Sequence, residues 1–193
     1  VFTWSWWSEP HGYHFNGYLV RHAAGNLCID PVEPPDDVLV ALAREGVTRI
    51  LLTNRNHVRR AALVRERTGA RVAIHPADAS HARAAGTVID EALGVGERVG
   101  PFDVVGVPGK SPGEVALHDP ARRLLVVGDA VVGNPAGALG LLREQVMDDP
   151  PRLRASVRAL AALDVDTVLV GDGMPILRDG GVCLRALVAT FPD

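Results

Sequence analysis

Thr53, Asn54, Arg55, Asn56, His57, Val58, Arg59 and Arg60 set two amides, one imidazole and three guanidiniums between an apolar strand and a helix-like stretch. A strand-to-helix loop gathers such groups where they could grip a metal ion or an anion. Amide oxygens are weak ligands for zinc, which prefers imidazole, thiolate or carboxylate. Guanidinium groups suit an anion instead. Three more polar groups follow apolar runs or glycine turns: Lys110, the only lysine among the 20 basic residues, Asp129 and Asp172. The other histidines carry less. His11 and His14, three residues apart, could build a metal site with His57, but loop histidines are more often solvated. His75 and His118 read as structural strand ends, and His22 and His81 give no signal. Ser111 has no histidine motif to activate it and reads as a turn residue. The glycines from Gly94 to Gly100 open no helix, so they make no nucleotide loop.

The order of these groups resembles the metallo-β-lactamase superfamily. Its T-H-x-H-x-D-H signature occupies the same strand–loop–helix setting. Laid on it, the H-x-H histidines fall on Asn54 and Asn56, the aspartate on Val58 and the last histidine on Arg59. Sliding the register by one residue rescues only His57. Asp30-Pro31 matches the family's strand-ending aspartate, and the stretch from Arg71 to Asp78 resembles the segment after the metal-loop helix. Pro108-Gly109-Lys110-Ser111-Pro112-Gly113 resembles P-G-H-T-P-G, with Lys110 for the histidine. Gly128-Asp129-Ala130 resembles the strand end that carries the bridging aspartate, which is kept. Gly171-Asp172-Gly173-Met174-Pro175 resembles G-H-G-x-P, with Asp172 for the final histidine. Blocks in the right order across most of the chain mark a degenerate branch.

The resemblance implies a place for two metal ions, commonly zinc, whose bridging hydroxide attacks an ester, amide or phosphoester. One implied ligand set becomes Asn54, Asn56 and Lys110, and the other Val58, Arg59 and Asp172, with Asp129 shared. Valine cannot coordinate. Lysine and arginine bring positive charge to the metals' place, and like unit charges about 4 Å apart repel by ~4 kcal/mol at an effective dielectric near 20. No cofactor is therefore expected; zinc belongs to the alternative reading. A bridging aspartate without metal is a costly buried anion. Arg59 and Lys110 are accordingly expected to pair with Asp129 and Asp172.

The elements must bring these loops together. Strands are predicted over 1–7, 15–20, 26–29, 49–52, 71–74, 102–107, 114–118, 123–127 and 167–170. Helices are predicted from Pro35 to the Gly46 stop, over 58–68, over 77–85, after the Asp149-Pro150-Pro151 cap, and over 182–189. Strands in bursts, with helices between and at the ends, suit an α+β, four-layer αββα sandwich better than an alternating Rossmann fold. Trp4, Trp6 and Trp7 read as a first strand packed across its sheet, with a subunit interface or ligand wall as the alternative. The glycine-rich loop 133–142 is expected to cover the pocket or meet a partner.

At 193 residues the chain suits a single domain over 1–193, with 47% hydrophobic and 22% charged residues as in ordinary globular proteins. A net charge of −3 without a basic run speaks against nucleic acid. No apolar run nears the roughly 20 residues of a membrane span, and no signal-peptide pattern opens the chain. Cys28 and Cys183, with no Cys-x-x-Cys pair, read as two buried free thiols of a cytoplasmic protein. The leading reading is a metallo-β-lactamase-type fold with its dinuclear site dismantled and without dizinc hydrolase activity. Asn54, Asn56, Arg59, Lys110, Asp129 and Asp172 would line a residual pocket that takes a small anionic ligand. One alternative is a metal-dependent hydrolase with a rebuilt or single-metal centre, in which Asp129, Asp172 and His57 are the metal candidates and Asp129 and His57 the catalytic ones. Another is an interaction module, a homo-oligomer included.

Overall fold

The computed structural model of the chain describes residues 1–192. One sheet runs β1 (Phe2–Ser8), β2 (Tyr13–Val20), β3 (Asn26–Ile29), β4 (Val47–Leu52), β5 (Arg71–Ile74) and β6 (Glu91–Ala92), in that spatial order. The first three strands pair antiparallel. From β3 to β6 the pairing is parallel, because α1 (Asp36–Glu45), α2 (Ala61–Thr68) and α3 (Pro76–Ala84) supply crossovers. The second sheet contains β7 (Arg98–Val99), β8 (Phe102–Gly106), β9 (Val115–Asp119), β10 (Leu124–Val127) and β11 (Thr167–Val170). Its parallel pair, β10 with β11, is bridged by α4 (Pro150–Ala161), and α5 (Gly180–Val188) follows β11. The Asp149 side chain accepts the Arg152 N–H at 3.0 Å, and Pro150 opens the helix where no N–H is needed, so α4 starts at its expected cap.

Side-chain alternation sorts the apolar residues into layers. Leu51 of β4, Tyr18 of β2, Leu117 of β9 and Val126 of β10 meet between the sheets. Ile50 and Leu52 of β4 turn the other way, onto Leu42 of α1 and Val64 of α2. Leu125 and Val127 of β10 pack on Leu153 and Val157 of α4 and Leu184 of α5. The result is the expected α+β, four-layer αββα sandwich. Among the described residues no helix is long and apolar enough to cross a membrane.

Several boundaries move for local reasons. The second helix begins at Ala61 rather than at about Val58, because Arg59 takes φ +24°, outside the helical region. The turn before it is held instead by His57 N–H to Asn54 O at 3.2 Å and Arg60 N–H to Pro31 O at 3.0 Å. The last helix begins at Gly180, two residues before the predicted start. Trp4 packs in the core as expected, but Trp6 and Trp7, farther along the edge strand β1, remain 43% exposed, resting against Phe15 and His14. Cys28 is buried, whereas Cys183 is only partly covered; both are free.

The carboxyl ends of four strands open on one side. Asp30 follows β3, the 53–60 turn follows β4, Asp129 lies just past β10 and Asp172 just past β11. The Asn16 Nδ2–H donates to Val170 O at 3.0 Å and to Gly173 O at 2.8 Å, and Tyr18 Oη–H donates to Val170 O at 2.7 Å. These bonds tie β2 to the end of β11 and fix Asp172 against the first sheet.

Candidate functional site

Asp30 pins the loop after β4. Its Oδ1 accepts the Thr53 N–H at 2.8 Å, and its Oδ2 accepts the Thr53 hydroxyl at 2.6 Å and His57 Nδ1–H at 2.7 Å. His57 is thereby drawn into the interior, fully buried. Its Nε2 lies 3.2 Å from Asp129 Oδ1 and 3.9 Å from Asp172 Oδ1. Burial and the Arg59 charge push this imidazole down, but Asp30 and Asp129 outweigh them and raise its pKa to about 10. His57 is an imidazolium bridging two carboxylates.

A second loop is clamped by Asp78, in the first turn of α3. Asp78 accepts the Arg55 N–H at 2.9 Å, the Ser111 hydroxyl at 2.5 Å and the Gly113 N–H at 2.9 Å. Ser111 is the buried turn residue that was expected. Lys110 leaves this loop inward, with Nζ donating to Asn56 Oδ1 at 2.9 Å and lying 3.2 Å from Asp129 Oδ2. Arg59 Nη2 bonds Asp172 Oδ1 and sits 3.1 Å from His57 Nε2. Its guanidinium lies 4.2 Å over the Phe15 ring, and its Nη1 is buried without a partner.

Three cations therefore face three aspartates. Although burial opposes ionisation, His57, Lys110 and Arg59 hold the Asp129 carboxyl well below the usual range. Burial raises Asp172, with Asp129 adding to the rise and Arg59 and His57 opposing it. Burial and the neighbouring Asp129 push Glu114 far upward, past the opposing pull of His57, Lys110 and the Ala130 N–H.

Asn56, His57, Arg59, Lys110, Asp129 and Asp172 line one cleft of about 750 Å³, together with Tyr13, Phe15 and Arg143. Val132, Leu141 and Leu142 form its apolar wall, so the loop after Asp129 does border the pocket. Asn54, expected among these residues, is not on the wall. It is fully buried, its Oδ1 accepting the Asn56 N–H at 2.8 Å and its Nδ2 facing Glu114 Oε1 at 3.4 Å. Arg59 takes Asp172 and Lys110 takes Asp129, so no Arg59–Asp129 pair forms. His57 is no solvated loop histidine, and although His11 borders the same cleft, neither His11 nor His14 joins it at ligand distance. Instead His57, Asp129 and Asp172 offer ligand atoms within 4.8 Å of one another, a group that could hold a metal ion. Sequence reasoning missed the part played by Asp30 and Glu114. The register slide that put a histidine at position 57 was the one signal for His57.

The family model for the metallo-beta-lactamase superfamily matches residues 1–191. A hydroxyacylglutathione hydrolase of Cereibacter sphaeroides is 36% identical over 162 residues, covering 79% of this chain and 59% of that protein. One from Fuscovulum blasticum is 33% identical over 161 residues, with the same coverage, 79% and 59%. The chain spans about three fifths of the length of these curated relatives. Among solved structures, TTHA1623 in a di-iron-bound form superposes with a TM-score of 0.72 at 30% identity, covering 91% of this chain and 93% of its own. FIM-1 of Pseudomonas aeruginosa in its mono-zinc form gives 0.75 at 15% identity, over 98% and 91%, and so supports the fold alone. With the layers, the strand-end site and a match along nearly its whole length in agreement, the chain belongs to the metallo-beta-lactamase superfamily.

Proposed function

We propose that an internal ion network replaces dinuclear metal chemistry in this protein, and that its cleft binds a small anionic ligand. The observation that carries the reading is the pairing of Lys110 with Asp129 and of Arg59 with Asp172. These contacts put protein cations on carboxylate oxygens that a two-metal centre would need. A dication beside Lys110 and Arg59 meets repulsion of ~4 kcal/mol per pair of unit charges at about 4 Å, with an effective dielectric near 20. The residues present do not fit a two-metal centre. An ammonium has three N–H donors, and Asn56 and Asp129 take two from Lys110. Arg143 borders the same cleft without an ion-pair partner among the described residues. Together they suit a small anion such as a carboxylate or phosphate.

One observation favours a second reading. His57, Asp129 and Asp172 form a partial metal group, and the relatives are named hydroxyacylglutathione hydrolases. A hydrolase with a single metal would use these three residues. Elemental analysis of tag-free protein, purified without added metal and dialysed exhaustively, separates the two. The expected result is no stoichiometric zinc, iron or manganese, with inorganic phosphate or malonate raising the melting temperature, less so in Arg143→Ala. One bound equivalent of metal, together with hydrolysis of a hydroxyacylglutathione thioester, would overturn the first reading in favour of the second. A metal-free protein that no anion stabilises would remove the ligand-binding part.

A further inference from the structure

Arg59 is poorly accommodated where it sits. Its backbone takes φ +24°, a region that costs a side-chain-bearing residue about 1–3 kcal/mol. Its Nη1 is buried with no partner. Its Nη2 lies 3.1 Å from His57 Nε2, a nitrogen that also faces Asp129 Oδ1 at 3.2 Å. What holds Arg59 is Asp172 on one side and the Phe15 ring, 4.2 Å away, on the other.

The group beneath it is a different matter. His57 and Asp129 are anchored from behind, by Asp30 at 2.7 Å and by Lys110 at 3.2 Å, and neither anchor uses His57 Nε2 or Asp129 Oδ1. Those two atoms and an Asp172 oxygen lie within 4.8 Å of one another. One imidazole and two carboxylates form a mixed N/O set that suits a first-row divalent ion. A carboxylate behind the opposite ring nitrogen orients a histidine ligand as metal sites require.

The geometry points to Arg59 as a displaceable internal cation that occupies a mononuclear divalent-metal site made of His57, Asp129 and Asp172. Metal and guanidinium exclude one another there. With Arg59 off Asp172, His57 Nε2, Asp129 Oδ1 and an Asp172 oxygen would be the three groups free to hold the ion. Lys110 stays on the far oxygen of Asp129. The site is mononuclear because Asn54 is turned away toward Glu114 and Asn56 already accepts from Lys110. The inference rests on the reading that the resting protein is metal-free.

Zinc(II) titration of the dialysed 193-residue chain, followed by calorimetry and by competition with a chromophoric chelator, tests it. Arg59→Gln should bind one equivalent on the order of a hundredfold more tightly than the wild type, since a like charge leaves the ion's immediate neighbourhood. Adding His57→Ala should abolish that gain. Lys110→Met, which touches neither His57 nor Asp172, should gain much less. Phe15→Leu removes no charge but frees the guanidinium from its ring, and should tighten binding roughly fivefold. Phe15→Leu also serves if Arg59→Gln does not fold. Equal gains from Lys110→Met and Arg59→Gln would reduce the effect to general electrostatics and overturn the inference. So would unchanged affinity in Phe15→Leu with no gain in Arg59→Gln. Metal already bound to the dialysed wild type would instead overturn the metal-free reading itself.

Discussion

His57 joins two carboxylates, one on each ring nitrogen, and a buried imidazolium is kept only by such partners. Its pKa rises from 6.5 to about 10 on folding. A group raised in the folded state contributes stability that is complete below the unfolded value. That contribution is lost as pH climbs through the folded value. Asp129 is shifted the other way, so its contribution is complete above 3.8 and is lost as pH falls. Stability from this pair should be greatest between about pH 4 and 6.5 and should decline toward pH 10. His57→Gln should cost about 3–5 kcal/mol at pH 6, as expected when one partner of a buried ion pair is removed. It should also flatten the alkaline decline. Urea melts from pH 6 to 9.5 check both; parallel slopes in the variant and the wild type would show that His57 is not the titrating group.

Strand ends position these charges, and the closeness of their approach leaves little tolerance. Gly171 follows β11 directly, and a methyl there would lie 2.4 Å from His57 Cε1. The backbone cannot retreat, because Gly171 N–H donates to Val127 O at 2.9 Å and Gly171 O accepts the Asn16 N–H at 2.8 Å. Gly171→Ala should therefore displace the imidazole and cost about 1–3 kcal/mol, the usual range for overpacking. The imidazole proton resonances of His57 should shift with the loss of stability. A variant with wild-type melting and unchanged resonances would mean that the strand end has slack that the bond lengths do not suggest.

At the scale of the molecule, the site exists only while the two sheets stay in register with one another. The inter-sheet layer of Tyr18, Ile29, Leu51, Leu117 and Val126 provides most of that bond, and β2 adds directed ties to β11. Tyr18→Phe keeps the ring and deletes one tie, while Val170 O still accepts from Asn16 Nδ2–H. The expected loss is about 1 kcal/mol, the net worth of a single hydrogen bond. Calorimetry should show one cooperative transition for the wild type and for the variant, as one domain over the chain requires. Two separated transitions would divide the chain into independent units.

Much of this architecture is legible in residue order. The strands at 26–29, 71–74 and 167–170 and the cap at Asp149 follow from local rules of alternation, turn chemistry and helix capping, which depend on near neighbours alone. That Asn54, Asn56, Arg59 and Lys110 carry neither imidazole, thiolate nor carboxylate is equally legible, since side-chain type decides what a group can coordinate. Which cation meets which anion is not. The pairing of Arg59 with Asp172 spans 113 positions, and that of Lys110 with Asp129 depends on the clamp at Asp78. Burial of His57 follows from Asp30, 27 residues away, and the inward turn of Asn54 from Glu114, 60 residues away. Electrostatic partners are chosen by distance in space, and that distance is set only when four strand ends from two sheets are packed side by side.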